Sequence, residues 1–432
     1  MKPEQVFKRY DIRGRYGDEI DEEFAELLGK AVGTFSQRKS SSEVVVSKDN
    51  KDSSEVLKKA LIEGLRSSGV DVIDVGTGPT DYTAFSGREC GDISVQVTSS
   101  HMPLDFNGFK LMYPEGNGFV NEDLHEVQKL FLERDFSEGR GELTEKEEAM
   151  SERYRESILE HGSDLGDGSE KKVVVDTLGG ATSDILPELL EELDMEVIDI
   201  SEDEPYRDPP NPTPNQLEDL QEKVEELDAD LGLATDMDGD RVAAYTNTFL
   251  TGDEILGMMA QAVDGNVVAS IDTSRAVEDL LKKEDREIYY TRVGDPFVMK
   301  EALERDVGLA GEPNGHYSVL DFVPYNSGTL AALVLAGTDI DKALEHIPVY
   351  HVEKFSFEVE DKKKSMKDIK SSVEDRYEII SEIDGVKFMT DNCDVLVRPS
   401  GSSEKIRVVA ESESSDDLQN ELPEIRDVVR KP

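Results

Sequence analysis

Cysteine is almost absent from this chain of 432 residues, which contains only Cys90 and Cys393. Two cysteines so far apart predict neither a disulfide framework nor a thiolate zinc site. The sequence also lacks a run approaching the roughly 20 apolar residues that a transmembrane helix needs. The longest apolar stretch, near 330–336, is followed by Gly337, and the first 13 residues lack the features of a secretory signal. These absences predict a cytoplasmic protein with no membrane partner.

Basic residues are scarce as well, because 48 Lys and Arg stand against 96 Asp and Glu and give a net charge of −48. Repulsion on this scale opposes a compact state, but molar salt shortens the Debye length to about 3 Å and screens it. The acidic residues are spread between periodic apolar segments, which favours a solvated acidic surface over a disordered acidic tail. The composition therefore predicts a halophilic protein. It also argues against nucleic acid as a partner, since phosphate contacts need clustered Lys and Arg.

A strand–helix–strand pattern occurs three times, beginning at 44–49, 173–176 and 267–272. In each case a β-branched run is followed by apolar residues at helical spacing and then by a second β-branched run. Such units imply parallel strands with helical crossovers, although chance recurrence in an α/β protein is the alternative. After His346 the chain alternates short strands with two helical segments, near 365–378 and 416–430, which favours a small α+β domain. Predicted linkers are 137–148, the segment after Arg241 and 348–353.

The first motif with chemical potential is the loop 98–103 (TSSHMP), which follows the strand-like segment Ile93–Val97. A hydroxyl just past a strand end lies where α/β proteins bind ligands, so Ser100 can carry a phosphoryl group. Serine-rich loops are more often turns or helix caps. The motif therefore needs support from others.

The second motif places Asp236, Asp238 and Asp240 at alternate positions in a loop after a buried strand. Three carboxylates so spaced can converge on one centre, and oxygen-only ligands select a hard cation such as Mg²⁺. A solvated acidic turn is the plain alternative. An EF-hand fits poorly, because Gly239 is at the fourth loop position and Asn247 occupies the twelfth. A phosphatase that uses Asp236 as its nucleophile stays open.

Two further loops carry polar groups. In 311–316 (GEPNGH), Glu312 and Asn314 can bind neighbouring hydroxyls and His316 can titrate near neutrality. In 398–403 (RPSGSS), Arg398 can bind a dianion through two hydrogen bonds and Gly401 permits close backbone approach. This favours an anion site over a plain hairpin turn.

Together the motifs resemble those of the α-D-phosphohexomutases, which include phosphoglucomutase, phosphomannomutase and phosphoglucosamine mutase. Members show, in this order, a Tyr-Asp-Ile-Arg-Gly segment, a Thr-Ala-Ser-His-Asn-Pro phosphoserine loop, an Asp-x-Asp-x-Asp-Arg magnesium loop, a Gly-Glu-x-Ser-Gly-His sugar loop and an Arg-x-Ser-Gly-Thr phosphate loop. The match runs from Phe7 to Arg407. It implies an α/β fold of three related domains with mixed or parallel sheets and a smaller C-terminal α+β domain, all around one central cleft.

The resemblance also implies roles for individual residues. Ser100 would be the phosphoserine and a metal ligand with Asp236, Asp238 and Asp240, and Arg241 would support their loop. The other residues expected at the catalytic centre are Arg13, His101, Lys110 and His316. Those expected to bind substrate are Tyr10, Arg292, Gly294, Glu312, Asn314, Arg398, Ser400, Gly401 and Ser402. The segment 291–294 resembles the family loop that distinguishes sugar orientations.

On this basis the expected domains are 1–140 for the phosphoserine, 141–245 for the metal, 246–348 for the sugar and 349–432 for the phosphate. The expected reaction interconverts hexose 1-phosphate and hexose 6-phosphate through a 1,6-bisphosphate. Expected cofactors are Mg²⁺ and a hexose 1,6-bisphosphate activator, and the expected partner is a phosphosugar bound by a monomer or dimer.

Some residues depart from the family pattern, namely Ser99, Met102, Asn314 and Ser403-Glu404. None removes a catalytic group, so they bear on loop geometry and sugar preference. Asn314 also occurs in the family's acetylglucosamine phosphate mutases, which keeps phosphoglucosamine mutase as an alternative. Glucose and mannose phosphates remain the favoured substrates. The competing functions are an Asp236-dependent sugar phosphatase and a non-catalytic regulator that binds a bisphosphate.

Overall fold

The computed structural model describes residues 3–165, 171–201, 207–401 and 403–430, and its strands form four sheets in chain order. We call the chain segments that carry these sheets the first, second, third and fourth units. The first sheet has the strand order β1-β5-β4-β2-β3-β6. Its strands are β1 (Ile12–Arg15), β2 (Glu43–Lys48), β3 (Asp71–Thr77), β4 (Ile93–Val97), β5 (Phe106–Met112) and β6 (Leu143–Glu145). Its helices are α1 (Glu22–Arg38), α2 (Asp52–Ser67), α3 (Thr80–Cys90) and α4 (Asn121–Glu133).

The second and third units each contain a four-stranded sheet, with orders β10-β9-β7-β8 and β12-β11-β13-β14. The second contains α5 (Glu147–Leu165), β7 (Lys172–Asp176), α6 (Leu186–Glu192), β8 (Glu196–Asp199), α7 (Glu218–Leu227), β9 (Leu231–Thr235) and β10 (Val242–Tyr245). The third contains α8 (Gly252–Ala262), β11 (Val267–Ser270), α9 (Arg275–Lys282), β12 (Ile288–Thr291), α10 (Asp295–Glu304), β13 (Leu309–Glu312), β14 (His316–Val319), α11 (Gly328–Ala336) and α12 (Ile340–His346).

The fourth unit is an antiparallel sheet of order β15-β19-β18-β17-β16 with two helices. Its elements are β15 (His351–Glu358), α13 (Lys362–Glu374), β16 (Glu378–Ser381), β17 (Val386–Met389), β18 (Asp394–Pro399), β19 (Lys405–Ser412) and α14 (Ser415–Arg430). The helices cover one face of the sheet, where apolar strand residues such as Val395 and Val397 are buried with Ile369 of α13 and Ile425 of α14.

The three predicted repeats are confirmed. Strands β2 and β3, β7 and β8, and β11 and β12 pair in parallel, and a helix lies between the strands of each pair along the chain. In each of the first three units a third parallel strand is followed by an antiparallel one: β5 after β4, β10 after β9 and β14 after β13. The loops at 98–105, 236–241 and 313–315 are therefore structurally equivalent, and each lies at the carboxyl end of a parallel strand, where α/β sheets bind ligands.

One apolar core continues through the first three units. It includes Val75 on β3, Val173 on β7 and Leu309 on β13, with Leu333 on α11 between them. Every residue of α11 is buried because this helix packs against α5, α8 and β10, which explains why its sequence is apolar on all sides. Within the described residues, no helix is both long and apolar enough to cross a membrane.

The structure corrects several local predictions. The segment after Arg241 is strand β10 rather than a linker, 137–148 contains β6 and the start of α5, and 348–353 contains the start of β15. The helix predicted at 365–378 ends at Glu374, and Glu378 begins β16. Strands β6, β10 and β16 were overlooked because each has only three or four residues. In addition, β6 is exposed and β16 half exposed, so neither carries a clear apolar pattern. The domain boundaries stay predictions.

Candidate active site

The predicted catalytic loops of the first three units meet at one cavity of about 200 Å³. Its wall includes predicted residues from all three units, together with acidic and aromatic groups that were not predicted. The residues are Tyr10, Asp11, Arg13, Ser100, Lys110, Asp240, Arg241, Gly294, Asp295, Glu312, Asn314, His316 and Tyr325.

Ser100 lies in the loop between β4 and β5 with a left-handed backbone, φ +52°. This conformation is strained for a residue with a side chain, and the N–H of Ser100 is fixed by donation to Oγ1 of Thr98 at 2.9 Å. Its Oγ donates to Oδ2 of Asp236 at 3.2 Å and lies 3.2 Å from Nδ1 of His101. Burial lowers the pKa of His101 to about 2, so the ring is neutral beside the serine.

The hydroxyl of Ser99 has different surroundings. It accepts a hydrogen bond from the ammonium of Lys51, which also donates to the carbonyl of Phe106 at 2.8 Å. Lys51 is buried, and burial lowers its pKa. Ser99 thus anchors the loop through Lys51, whereas Ser100 is the serine that reaches Asp236.

The carboxylates of Asp236, Asp238 and Asp240 are buried, and one oxygen of each lies within 4.8 Å of the others. Oδ1 of Asp238 is buried without a hydrogen-bond partner among the described residues. An orphaned carboxylate oxygen in an oxygen-only donor set fits a hard cation such as Mg²⁺. Burial, and the nearby charges of Asp240 and Asp238, raise the pKa of Asp236 well above its usual value.

Lys110 on β5 balances part of this charge. Its Nζ lies 2.5 Å from Oδ2 of Asp238 and 2.5 Å from Oδ2 of Asp240. Burial works against the ammonium, but the two carboxylates outweigh it and raise the pKa of Lys110 well above its usual value. Likewise, burial alone would raise the pKa of Asp240, yet Lys110 and His316 hold it well below the usual value.

His316 and Arg241 close the cavity from the third and second units. Nε2 of His316 lies 3.3 Å from Oδ1 of Asp240 and 3.1 Å from Nε of Arg241. One nitrogen cannot donate to the carboxylate and accept from the guanidinium at once. Burial alone would lower the pKa of His316, but Asp240 raises it to about 9, which favours a protonated ring that donates to Asp240. The backbone N–H of Arg241 donates to Oδ1 of Asp236 at 3.2 Å and so holds the two ends of the acidic loop 236–241 together.

Glu312 is the last residue of β13, and its Oε1 accepts a hydrogen bond from the backbone N–H of Gly294 at 2.8 Å. Burial opposes its charge, but the positive charge of His316, whose Nδ1 lies 3.7 Å from Oε2, and the hydrogen bond from Gly294 outweigh burial and lower the pKa of Glu312. Gly294 has φ +129°, a conformation that favours glycine. The exposed Asn314 accepts from the N–H of His316 at 3.3 Å.

The N-terminal segment contributes Tyr10 and Arg13. The hydroxyl of Tyr10 is buried without a hydrogen-bond partner among the described residues, and burial raises its pKa to about 12. Its ring packs edge-on against Phe297, and the guanidinium of Arg292 lies 4.7 Å from the centre of that same ring. Nε of Arg13 pairs with Oδ2 of Asp11 at 2.7 Å.

A second cavity of about 380 Å³ lies between the third and fourth units. Strand register places Arg398 opposite Arg407, and Arg407 opposite Ser356, so their side chains share one face of the fourth sheet. Arg398 pairs with Asp272 at 3.2 Å and with Asp384 at 3.4 Å.

The loop after Arg398 contains the other predicted phosphate residues, of which Ser400 and Gly401 do not line this cavity. The N–H of Ser400 donates to the carbonyl of Lys405 at 2.8 Å, and a side chain added at Gly401 would meet no atom within 4 Å. Ser402, the remaining predicted phosphate residue, lies outside the described residues. Glu312 and Asn314 line both cavities, so the loop 311–316 lies between the Ser100 side and the Arg398 side.

Comparison with known proteins decides the family. Four family models of phosphoglucomutase/phosphomannomutase match, for alpha/beta/alpha domain I at 4–138, domain II at 152–251, domain III at 251–343 and the C-terminal domain at 356–428. A protein named phosphoglucomutase/phosphomannomutase from Thermococcus kodakarensis is 33% identical and covers 97% of both chains.

The chain belongs to the phosphoglucomutase/phosphomannomutase family. It is a phosphohexomutase, an isomerase that transfers phosphate within a sugar. A protein named probable phosphoglucosamine mutase from Methanopyrus kandleri is 32% identical, covering 99% of this chain and 98% of that one. The relatives of this phosphohexomutase are thus named after different sugars, glucose and mannose in one case and glucosamine in the other.

Solved phosphohexomutases share the fold. A phosphoglucomutase/phosphomannomutase family protein from Burkholderia thailandensis aligns with a TM-score of 0.88 at 24% identity, covering 100% of this chain and 99% of that one. N-acetylphosphoglucosamine mutase from Aspergillus fumigatus, in complex with GlcNAc-6P and magnesium, aligns with a TM-score of 0.58 at 14% identity, covering 98% and 95%. The predicted architecture of three related α/β domains and a smaller C-terminal domain is confirmed.

The sequence did not indicate several residues that support this site, including Lys51, Thr80, Asp11, Asp272 and Asp295. Each acts through a partner that is distant in sequence or through a backbone turn. Thr80, for example, donates to Oδ2 of Asp238 at 2.8 Å across 158 residues. A lone threonine at a helix start carries no signal of such a contact.

Proposed function

We propose that this phosphohexomutase interconverts hexose 1-phosphate and hexose 6-phosphate through a phosphorylated Ser100 and a hexose 1,6-bisphosphate. The observation that carries the proposal is the position of Ser100, whose Oγ lies 3.2 Å from Asp236 at the edge of the metal loop. A serine at this position can take up a phosphate beside a bound cation and return it to the sugar. Net isomerisation then consumes no nucleotide.

In the first half-reaction, the bond between phosphorus and Oγ of Ser100 breaks while the free hydroxyl of the sugar forms the new bond to phosphorus. The hydroxyl proton passes to a base on the cavity wall, for which Arg13 and His316 are the candidates. Burial opposes both positive charges, but nearby carboxylates outweigh it and raise the pKa of both side chains, so whichever acts must first give up its own proton. Ser100 regains a proton. Lys110 offsets charge on the transferred group. Asp236, Asp238 and Asp240 would hold Mg²⁺ beside Ser100, and the ion would neutralise phosphate charge in a reaction limited by charge and positioning.

The second half-reaction needs the bisphosphate to present its other phosphate to Ser100. The two cavities support this, because Glu312 and Asn314 lie between them and can hold the hydroxyls that both orientations share. Arg398, Ser400 and Gly401 would bind the phosphate that is not being transferred, while Arg292, Gly294 and Tyr10 line the sugar's approach. Bidentate hydrogen bonding of a guanidinium suits such a dianion.

Glucose and mannose phosphates are the proposed substrates, because a carboxylate that binds the hydroxyls of carbons 3 and 4 meets the same arrangement in both sugars. Phosphoglucosamine is the second candidate. It is favoured by Asn314, whose amide differs from a serine hydroxyl in reach and donor capacity, and by the name of the relative from Methanopyrus kandleri.

The direct test is a mutase assay of the purified chain with glucose 1-phosphate, Mg²⁺ and a trace of glucose 1,6-bisphosphate. The proposal predicts glucose 6-phosphate as the product, with the bisphosphate acting as activator. A sugar phosphatase would instead release inorganic phosphate without needing Ser100. A non-catalytic regulator would bind the bisphosphate without turnover.

A further inference from the structure

A group of hydrogen bonds outside the cavity centres on Asp81, the second residue of α3, whose carboxylate is fully buried. Its Oδ2 accepts from the hydroxyl of Tyr154 on α5 at 2.8 Å and from Oγ of Ser327 at 2.5 Å. Its Oδ1 accepts from the N–H of Tyr82 at 2.9 Å. Ser327 is the N-cap of α11 and accepts in turn from the N–H of Leu330 at 2.9 Å. One carboxylate therefore joins the first, second and third units.

The residues adjacent to this group hold the metal loop directly. Thr80 donates from Oγ1 to Oδ2 of Asp238 at 2.8 Å and from its backbone N–H to the carbonyl of Asp238 at 2.8 Å. On the other side, the N–H of Gly328 donates to the carbonyl of Gly239 at 2.9 Å. Because Asp81 bonds Ser327, these contacts form a closed ring that runs from the metal loop through 80–81 and 327–328 and back to the loop.

The packing inside this ring leaves no spare room. A Cβ added at Gly239 would lie 2.5 Å from Cγ2 of Thr182 and 2.9 Å from Cβ of Pro79. A Cβ added at Gly328 would lie 2.4 Å from the carbonyl oxygen of Arg241. The first residues of α3 and α11 thus pack against the metal loop from two sides. A small shift of either helix therefore displaces the carboxylates of the loop.

A carboxylate is a costly group at this position. Its hydrogen-bond partners are two hydroxyls and a backbone amide rather than a cation, and burial raises the pKa of Asp81 to about 7. Burying a charge without a counter-ion opposes folding. An apolar side chain would fill the same space without the cost of burying a charge. What the carboxylate of Asp81 provides, and an apolar side chain does not, is a hydrogen bond that fixes the position of Ser327.

We propose that Asp81 is a positioning residue for the metal loop: by joining the starts of α3 and α11, it sets the spacing at which Asp236, Asp238 and Asp240 can share one cation. This inference rests on the metal-dependent function proposed above. Loosening the ring should weaken cation binding and lower kcat. The KM for the sugar phosphate should not change, since Glu312 and Arg398 lie outside the ring.

The test compares two variants with a matched control in the full chain. Asp81→Asn keeps the shape but replaces one acceptor oxygen with a donor, and Ser327→Ala removes one donor while leaving those of Tyr154 and Tyr82. The control is Ser274→Ala. Ser274 is likewise a helix N-cap whose Oγ donates to a buried carboxylate of another unit, Glu411, at 2.7 Å. Each variant is measured for Mn²⁺ affinity by electron paramagnetic resonance, for urea unfolding and for kinetics over a range of Mg²⁺.

We expect Asp81→Asn and Ser327→Ala to weaken Mn²⁺ binding by at least about tenfold, or about 1.4 kcal/mol, with kcat partly restored by excess Mg²⁺. Ser274→Ala should destabilise the fold but leave Mn²⁺ affinity within about twofold. If both ring variants lose stability while their Mn²⁺ affinity matches the wild type, Asp81 is only structural and the inference is wrong. If Asp81→Asn does not fold, the Mn²⁺ affinity of Ser327→Ala alone decides whether the inference holds. A wild-type chain that binds no Mn²⁺ would instead contradict the metal site itself.

Discussion

Lys110 directs its ammonium to the carboxylate of Asp238, with 2.5 Å between Nζ and Oδ2, and Asp240 accepts from the same nitrogen at the same distance. The lysine therefore neutralises two of the three proposed metal ligands. A cation that binds between these carboxylates must compete with Lys110 for their oxygens. Once phosphate is on Ser100, the ammonium has a second anion to pair with.

Replacing Lys110 with Met should therefore separate metal affinity from catalysis. Without the competing ammonium, Mn²⁺ should bind the unphosphorylated chain several-fold more tightly, because three buried carboxylates are left with less positive charge. The kcat should fall, because charge on the transferred phosphoryl group is no longer offset. Unchanged Mn²⁺ affinity would show that Lys110 does not compete for the site. Arg is the matched control, since it keeps the charge.

The two serines of the first loop should behave differently. Ser99→Ala removes only the acceptor of Lys51, which retains its hydrogen bond to the carbonyl of Phe106, so most activity should remain. Ser100→Ala removes the proposed phosphoryl carrier and should abolish turnover. Phosphopeptide mapping of the active chain should find phosphate on Ser100. Phosphate on Ser99, together with an active Ser100→Ala variant, would reverse the assignment.

How far the sequence predicts this site depends on how local each signal is. Ser100, Asp236 and Asp240 lie in short loops after buried strands, and Glu312 is the last residue of such a strand. In each case the motif and the strand that precedes it can be recognised in the same short stretch of sequence. Nothing local marks Asp81 or Ser327, because their contact joins positions 246 residues apart and both are common residues at helix starts.

The fold, like the site, was predictable where the signal is local in the sequence. Parallel strands buried on both faces, such as β7 with its three buried valines, produce continuous apolar runs that the sequence shows clearly. The antiparallel strand β10 was predicted as a linker because its four residues are too few to show an apolar pattern, although Asp238-Gly239 before it is a typical turn dipeptide. Its identity depends on pairing with β9, which is a tertiary property.

The charge of −48 leads to a prediction about salt. In dilute buffer the Debye length reaches about 30 Å, so carboxylates repel one another across the surface and the compact state is destabilised. The melting temperature and the activity should therefore rise from dilute buffer to molar KCl. Thermal unfolding across that range checks this. A melting temperature that does not depend on salt would remove the basis for calling the protein halophilic.

Asp81 should give the fold a specific pH dependence. Its pKa is raised to about 7 in the folded chain, against about 3.9 in an unfolded one. The folded state therefore binds the proton more tightly, and the stabilisation is complete below about pH 4 and lost as pH rises through about 7. The nearest titratable groups are Tyr82 and Tyr154, whose pKa values burial also raises, so they stay neutral in this range.

The difference in unfolding free energy between wild type and Asp81→Asn isolates this group. That difference should favour the wild type most at the lowest pH measured, about pH 4, and should shrink by a few kcal/mol by about pH 8. Urea unfolding in molar KCl at several pH values measures it. A difference that is independent of pH would mean that Asp81 is ionised in the folded state throughout.

Sugar preference is tested by comparing kcat/KM for glucose 1-phosphate, mannose 1-phosphate and glucosamine 1-phosphate. Glu312 is proposed to bind hydroxyls that these sugars share, so kcat/KM for glucose 1-phosphate and mannose 1-phosphate should differ little. Asn314→Ser is the informative variant, because it introduces the serine hydroxyl that the family pattern predicts for phosphoglucomutases and phosphomannomutases. A preference for the amino sugar above about tenfold, or about 1.4 kcal/mol in transition-state stabilisation, would instead favour phosphoglucosamine as the substrate.

The central claim is that Ser100 passes its phosphoryl group to the sugar. To test it, the chain is phosphorylated with radiolabelled glucose 1,6-bisphosphate, isolated, and mixed with glucose 6-phosphate and Mg²⁺. The account predicts that the label leaves Ser100 and appears in glucose 1,6-bisphosphate within one turnover, and that Ser100→Ala takes up no label. Label that is released as inorganic phosphate, or that is carried on Asp236, would contradict it.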